Sequence, residues 1–448
     1  MFSRWHPRGG MRILKLLSEQ KPREIAARVL QRRQEGGFVE HLLDQALANA
    51  RLSPPDRHLC QELVYGTVRW QATLDWLAAR KTSGRQQKPF LQNLLRLGLY
   101  QIFWLDRIPA HAAVNETVEQ ARRSGFGPQA GFINAVLRGY LREIDATRKL
   151  LEDLKISDPA TGFSHSEWLV KRWQQRWGLD ATAKLLQWNN TPPKTYARIN
   201  TLKTDAGRLL SQWRDENVGY DFVRADWLEE NLAFELKEHP PLAKLPSFAQ
   251  GFFYIQDPST LLAVQQLNPQ PGERVLDLCA APGGKLTYIA QRMQNNGFIV
   301  AHDTSPERLH LVEENCRRLG VTCAHMVASL ANLKFPGSKP FDRILIDAPC
   351  SNTGVLRRRV DLRWRIRPEE LERLRRTQLE LLREAAALLT PVGTILYSTC
   401  SLEPEENSKV VQEFLSGNRG FKLECERELL PFADQVDGCY VARLKRCG

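Results

Sequence analysis

The sequence predicts a multidomain protein. An all-α helical bundle (residues 1–145) and a small α+β connecting domain (146–250) precede an α/β domain built on a doubly wound, mostly parallel sheet (251–448). Three observations predict this. The 448 residues, at about 150 per domain, argue for about three domains. Apolar residues in the first third recur at helical spacing, and no stretch there alternates like a strand. After Gly251, short apolar runs alternate with helical stretches, the pattern of buried parallel strands. Hydrophobic residues at 42% and charged residues at 25% are ordinary soluble usage, which excludes wholesale disorder.

In the helical third the periodic positions are Ile25, Val29 and Leu30, then Leu42, Leu43 and Leu47, then Leu94, Leu95 and Leu99, with breaks at Ser53-Pro54-Pro55, 81–88 and 125–128. Charge sets this third apart. Residues 1–150 hold 24 basic and 13 acidic side chains, 151–250 hold 13 and 14, and 251–448 hold 26 and 24, so nearly all of the +12 net charge lies at the front. Such a domain suits a polyanionic partner, most often nucleic acid, although charge alone fits a solvated basic surface equally well. The opening MFSRWHPRGGMRILKLL is Arg-rich, with weak transit-peptide character at most, and Met11 is an alternative start. Its apolar run is too short for a secretion signal or a membrane span, so no membrane partner is expected. None of the nine cysteines forms a C-x-x-C pair or a His/Cys cluster with zinc-ligand spacing. Reduced thiols, a cytoplasmic location and no metal follow as expectations.

The connecting region carries a Trp-rich helical pattern at 167–177, a break at Pro192-Pro193 and a strand-like piece at 196–202. In the last region the apolar runs are 274–279, 298–303, 323–328, 343–347 and 394–400. Ligands of such sheets bind at the carboxyl ends of the strands, so the residues closing each run are the candidates for function.

The first run enters VLDLCAAPGGK, Val275 to Lys285, a small-residue turn that opens a helix. Asp303 closes the second run, 20 residues after Gly283, where an acid that binds ribose hydroxyls belongs. Glycines admit a ligand close to the backbone, and a helix N-terminus offers N–H groups to an anion. The turn is not G-x-G-x-x-G, and Pro282 fixes a bend in it, so a pyrophosphate cofactor fits poorly. A nucleoside with a short amino-acid tail, such as S-adenosylmethionine, fits better than that or an ordinary strand-to-helix turn.

The fourth run ends in IDAPCSNTG, which places Asp347, Pro349 and Cys350 at the ligand edge, and the fifth ends in ILYSTCS, which adds Cys400. Two thiols from neighbouring strands can meet over one pocket. A pyrimidine C5 is too weak a nucleophile to take a methyl group directly. A thiolate adding at C6 pushes electron density to C5 and splits the step in two. A base must then remove the C5 proton, and an acid near N3 steadies the charged ring. The residues alone leave open which thiol attacks. Past Cys350 come six arginines, Arg357, Arg358, Arg359, Arg363, Arg365 and Arg367, with Trp364 among them, a composition suited to phosphates and unstacked bases.

These motifs resemble the RNA cytosine-5 methyltransferases, and more narrowly the Sun/Fmu (RsmB) group that acts on small-subunit 16S ribosomal RNA. DLCAAPGGK, IDAPCS and YSTCS carry the resemblance together with QDPS (256–259), EEN (405–407) and DGCYVARL near the end. GTVRW (66–70), IPAHAAVNE (108–116) and FINAVLR (132–138) resemble the NusB-like RNA-binding domain of that group, and ARINTLK (197–203) matches in the connecting region. The resemblance implies a Rossmann-like catalytic domain that makes 5-methylcytosine from S-adenosylmethionine, in a protein expected to be monomeric. It implies Cys400 as the nucleophile, Cys350 as the thiol assisting release and Asp347 between cofactor and base. It also assigns the methionine part to Cys279, Ala280, Ala281, Pro282, Gly283, Gly284 and Lys285, and the ribose to Asp303. Lys285 is a further candidate for the active site. Since DNA cytosine methyltransferases attack with the Pro-Cys thiol, the choice of Cys400 rests on the resemblance. Two departures stand out. Val327-Ala328-Ser329 replaces the usual adenine-binding acid, leaving Ser329 as the hydrogen-bonding candidate, and Asn352-Thr353-Gly354 and Arg358-Arg359-Val360 stand where the family often has Gly-Thr-Gly and Arg-His-Pro. The competing readings are a non-catalytic RNA-binding assembly factor and a methyltransferase acting on an exocyclic amine or on tRNA.

Overall fold

The structure is a computed structural model that describes residues 21–328 and 339–447. Ser329 lies outside the described residues, as does the Arg-rich opening. The chain forms two compact units. One runs to Asn190 and takes in Arg359–Trp364; the other holds Thr191–Arg358 and the chain from Arg365 onward.

The first unit is helical. Its helices are Pro22–Gln34, Val39–Ala48, Pro54–Arg69, Gln71–Lys81, Pro89–Trp104, Ala110–Arg123, Gly127–Arg142, Ile144–Ser157, Pro159–Gly162 and Glu167–Asn190, the last interrupted at Gly178. Proline at the first turn starts several of them, and Ser53 caps one by accepting the Asp56 N–H at 3.3 Å. The periodic positions read from the sequence, Ile25, Leu43, Leu47, Leu94 and Leu99 among them, form its core. The unit continues past the boundary expected after residue 145, because the helices of 144–190 pack within it.

A short piece of later chain completes this unit. Val360 joins its apolar core. Asp361 accepts hydrogen bonds from Arg33 Nε at 2.6 Å and from the Val39 N–H at 3.0 Å. Arg363, fully buried, donates to the Arg69 and Ser164 carbonyls (both 3.2 Å), to Asn190 Oδ1 (2.8 Å) and to the Asn189 carbonyl (2.9 Å). Trp364 Nε1 donates to the Val68 carbonyl at 2.8 Å. Removing one member of such a buried ionic network costs about 3–5 kcal/mol. This corrects the expectation for part of the arginine-rich stretch. Arg363 and Trp364 are structural, and Arg357 and Arg358 are held by acids of the other unit.

That second unit contains two sheets. β1 (Thr195–Ile199), β2 (Tyr220–Phe222), β3 (Ala233–Leu236) and β4 (Phe253–Ile255) form an antiparallel sheet in the order β2-β3-β1-β4. The larger sheet uses β5 (Arg274–Leu278), β6 (Phe298–Asp303), β7 (Ala324–Ala328), β8 (Phe341–Asp347), β9 (Leu389–Thr399), β10 (Phe421–Leu429) and β11 (Cys439–Arg446), in the order β10-β11-β9-β8-β5-β6-β7. Strands β5 to β9 run parallel, as the apolar runs predict, while β10 and β11 add an antiparallel edge that the sequence reading did not include. One apolar core spans both sheets, from Trp213 and Phe234 to Leu286 and Ile299.

Arg198 of the ARINTLK motif braces the two sheets. Fully buried, it donates to Gln256 Oε1 and the Gly284 carbonyl, both at 2.7 Å, and to Thr287 Oγ1 at 3.0 Å. It thereby anchors the helix that follows the β5 turn. Asn200 of the same motif donates to the Gly251 and Leu319 carbonyls, both at 2.8 Å.

Candidate active site

The order of the strands puts the ends of β5, β6, β8 and β9 along one sheet edge. After β5 the chain turns sharply through Cys279 (φ 63°), a cis Ala281–Pro282 bond and Gly283 (φ 99°) into the helix Gly284–Arg292. Gly283 is needed here for two reasons. Its φ lies in the left-handed region, and a Cβ would stand 3.3 Å from the Val312 side chain. Asp303, buried at the end of β6, accepts the Ala281 N–H at 3.3 Å and the Ser305 N–H at 3.1 Å. Arg308 reaches the same carboxylate at 3.3 Å and the Ala281 carbonyl at 2.9 Å. Turn and acid are thus one assembly.

Asp277, inside β5, is fully buried, and neither of its carboxylate oxygens has a hydrogen-bond partner. Burial, reinforced by Asp347, pushes its carboxyl well above the usual range. The sequence reading passed over it because an acid within an apolar strand carries no spacing signal.

Lys285, in the first turn of the helix, meets Asp347 at 2.6 Å. Burial pulls its ammonium down, but the Asp347 charge more than compensates, and it is pushed up to about 12. This pair joins the turn after β5 to the end of β8.

There the two thiols come together. Cys350 Sγ and Cys400 Sγ lie 3.1 Å apart, both as free cysteines. The register of β8 with β9, Asp347 opposite Ser398, aligns the two strand ends. Gly354 then lets the loops touch. Its N–H donates to the Cys400 carbonyl at 2.9 Å, and a Cβ would stand 2.7 Å from that oxygen. Asn352 adopts φ 60°, a left-handed conformation that asparagine takes more readily than most residues. Its Nδ2 donates to the Cys350 carbonyl at 2.7 Å, which turns Oδ1 toward Cys400 Sγ at 2.9 Å. Its hydrogen bond to Cys400 raises the Cys350 thiol well above its ordinary value, and burial adds to this. Burial also pushes Cys279 and Cys439 up to about 12. These three thiols are held protonated.

Two of the arginines after Cys350 are held by acids. Arg357 pairs with Asp437 at 3.3 Å, and Arg358 bridges Asp437 at 2.5 Å and Asp257 at 2.8 Å. The aspartates of the QDPS and DGCYVARL motifs therefore serve to seat this loop. Among the described residues, no cluster of His, Cys, Asp or Glu could hold a metal ion, and no helix is long and apolar enough to cross a membrane.

A seven-stranded sheet in this order, with a glycine turn after its first parallel strand and an acid after its second, defines a Rossmann-like methyltransferase. The comparisons with known proteins agree. Residues 264–445 match the model of the 16S rRNA methyltransferase RsmB/F family, 20–142 match the NusB family, and 165–236 match the ferredoxin-like domain of RsmF/B-like methyltransferases. A probable ribosomal RNA small subunit methyltransferase B of Bacillus subtilis is 36% identical over 95% of this chain and 99% of its own length. Its counterpart in Synechocystis is 36% identical over 91% of this chain and 95% of its own. Among solved structures, a methyltransferase homologue from Pyrococcus horikoshii is 29% identical with a TM-score of 0.55, covering 64% of this chain and 98% of that one. PH0851 shares the fold at a TM-score of 0.76 and 24% identity, over 95% of this chain and all of that one. The chain belongs to the ribosomal RNA small subunit methyltransferase B family.

Proposed function

We propose that this protein methylates C5 of a cytosine in 16S ribosomal RNA, with S-adenosylmethionine as methyl donor and a covalent bond between Cys400 and C6 as the intermediate. The meeting of two strand-end thiols at 3.1 Å, beside the Lys285–Asp347 pair, carries the reading. Methylation of an exocyclic amine would need no cysteine.

The residues present fit the donor. Asp303 offers a buried carboxylate to ribose hydroxyls. The first turn of the helix Gly284–Arg292, entered through Gly283, offers N–H groups to a carboxylate. S-adenosylmethionine supplies the methyl group when bound. On the RNA side, Cys400 gives up its proton to solvent and adds to C6 as the thiolate, and the Lys285–Asp347 pair faces the ring, with the Lys285 ammonium offsetting the negative charge that develops there. Release then moves the C5 proton by way of Cys350 to Cys400. The C5–H electron pair closes the C5–C6 double bond, and the S–C6 pair returns to Cys400 Sγ.

The helical unit supplies most of the affinity for RNA through the positive charge of residues 1–150, and 251–448 carry the chemistry. The protein acts as a cytoplasmic monomer. With unmethylated 16S RNA as substrate, Cys400→Ser abolishes methylation, a loss of about 10⁴-fold or more, while calorimetry still shows S-adenosylhomocysteine binding. Cys350→Ala accumulates a protein–RNA adduct that survives a denaturing gel. Full activity of Cys400→Ser would overturn the assignment.

A further inference from the structure

Cys350 and Cys400 stand 50 residues apart on separate loops, and thiols have no directional contact strong enough to hold two loops in register. Glu406 does so. This fully buried residue lies in the turn after β9, within the EEN motif. Its Oε1 accepts the Ser351 N–H at 2.8 Å and Gln378 Nε2 at 3.1 Å. Its Oε2 accepts both the Ser351 hydroxyl and the Ser401 hydroxyl. The residue that follows each thiol thus grips the same carboxylate, and the two serine oxygens are 3.1 Å apart.

The residues before the thiols are tied to the same cluster. Gln378 Nε2 also donates to the Pro349 carbonyl at 2.9 Å. Asn407 accepts the Thr399 hydroxyl at 2.6 Å and donates to the Ser401 carbonyl at 2.9 Å. Tyr397 donates to the Glu406 carbonyl at 2.6 Å, which fixes the turn itself. Four donors converge on this one buried carboxylate, and so many bonds to a single group fix its position. Burial still holds the Glu406 carboxyl above its usual range. Its charge is also among the causes that keep Cys350 protonated, after the Cys400 hydrogen bond, burial and the Cys400 charge.

We propose that Glu406 is a positioning residue that registers Cys350 on Cys400, so that it governs product release more than attack. The proposal rests on the reading that Cys400 attacks and Cys350 assists release. Attack needs only one thiol and the ring, whereas release needs the second thiol within proton-transfer reach of the first.

The test uses the full-length protein and unmethylated 16S RNA, with three readouts: methyl transfer, RNA trapped on a denaturing gel, and S-adenosylhomocysteine affinity. Glu406→Ala is expected to raise the trapped fraction several-fold toward that of Cys350→Ala, with cofactor affinity unchanged. Glu406→Gln, which keeps an oxygen for Ser351 and Gln378, restores part of the turnover. Ser351→Ala moves the same way by a smaller factor and carries the test should Glu406→Ala not fold. Wild-type trapping in folded Glu406→Ala and Ser351→Ala, while Cys350→Ala traps, overturns the positioning role alone. Absence of trapping in Cys350→Ala overturns the reading of release itself, a result read without any Glu406 variant.

Discussion

The turn after β5 and the loops after β8 and β9 share one sheet edge, yet they keep their shape by different means. The β5 turn is shaped by its backbone: Cys279 and Gly283 at positive φ, a cis Ala281–Pro282 bond, and a single acid, Asp303, drawing in the Ala281 N–H. The thiol loops are shaped by side chains, with Glu406, Ser351, Ser401, Asn352 and Asn407 linking segments about 50 residues apart. A ligand cradled by main chain can be specified by a contiguous word. Two reactive atoms that must meet from separate strands need a scaffold of distant partners.

Mutations should separate the two halves. Asp303→Ala has the largest expected effect after loss of Cys400. It removes the candidate acceptor for the ribose hydroxyls and the anchor of the turn, lowering S-adenosylhomocysteine affinity about 100-fold by calorimetry. The reactivity of the thiols toward an alkylating reagent stays as in the wild type. Gly283→Ala places a Cβ at positive φ and against Val312, costing about 1–2 kcal/mol and roughly tenfold in the same affinity, again without altering the thiols. The smallest effect is expected at the other half. Asn352→Gly keeps a residue comfortable at φ 60° but removes the oxygen 2.9 Å from Cys400 Sγ, so turnover falls about threefold at unchanged cofactor affinity. A drop in cofactor affinity for Asn352→Gly, or changed thiol reactivity for Gly283→Ala, would show that the two halves are coupled, most directly through Lys285 and Asp347.

The same division explains what the sequence reveals. VLDLCAAPGGK and the spacing to Asp303 are local, and the turn they describe folds within a few residues of itself. Cys350 and Cys400 are visible as strand ends because the apolar runs of a parallel sheet are continuous. Glu406, although inside a recognised motif, shows its contacts only once the register of β8 with β9 is known. Strands β10 and β11 are hidden for a related reason: FKLECEREL on the sheet's edge mixes charges into the alternation. The arginine-rich stretch was legible as charge but not as destination. Nothing local to Arg357, Arg358 or Arg363 announces that Asp437, Asp257 and the carbonyls of Arg69, Ser164 and Asn189 await them.

The placement of Arg359–Trp364 inside the helical unit also sets an order of events during synthesis. A ribosome delivers Asn190 well before Asp361 and Arg363, and at about 5–20 residues per second the interval is roughly 10–30 s. During that time the helices can collapse around their leucines, but the aspartate that meets Arg33 and the Val39 N–H has not yet been made. The helical unit therefore reaches its final form only after the strand that precedes Cys350 has emerged. A truncated protein ending before residue 359 would keep an incomplete helical unit as well as losing β9 and Cys400.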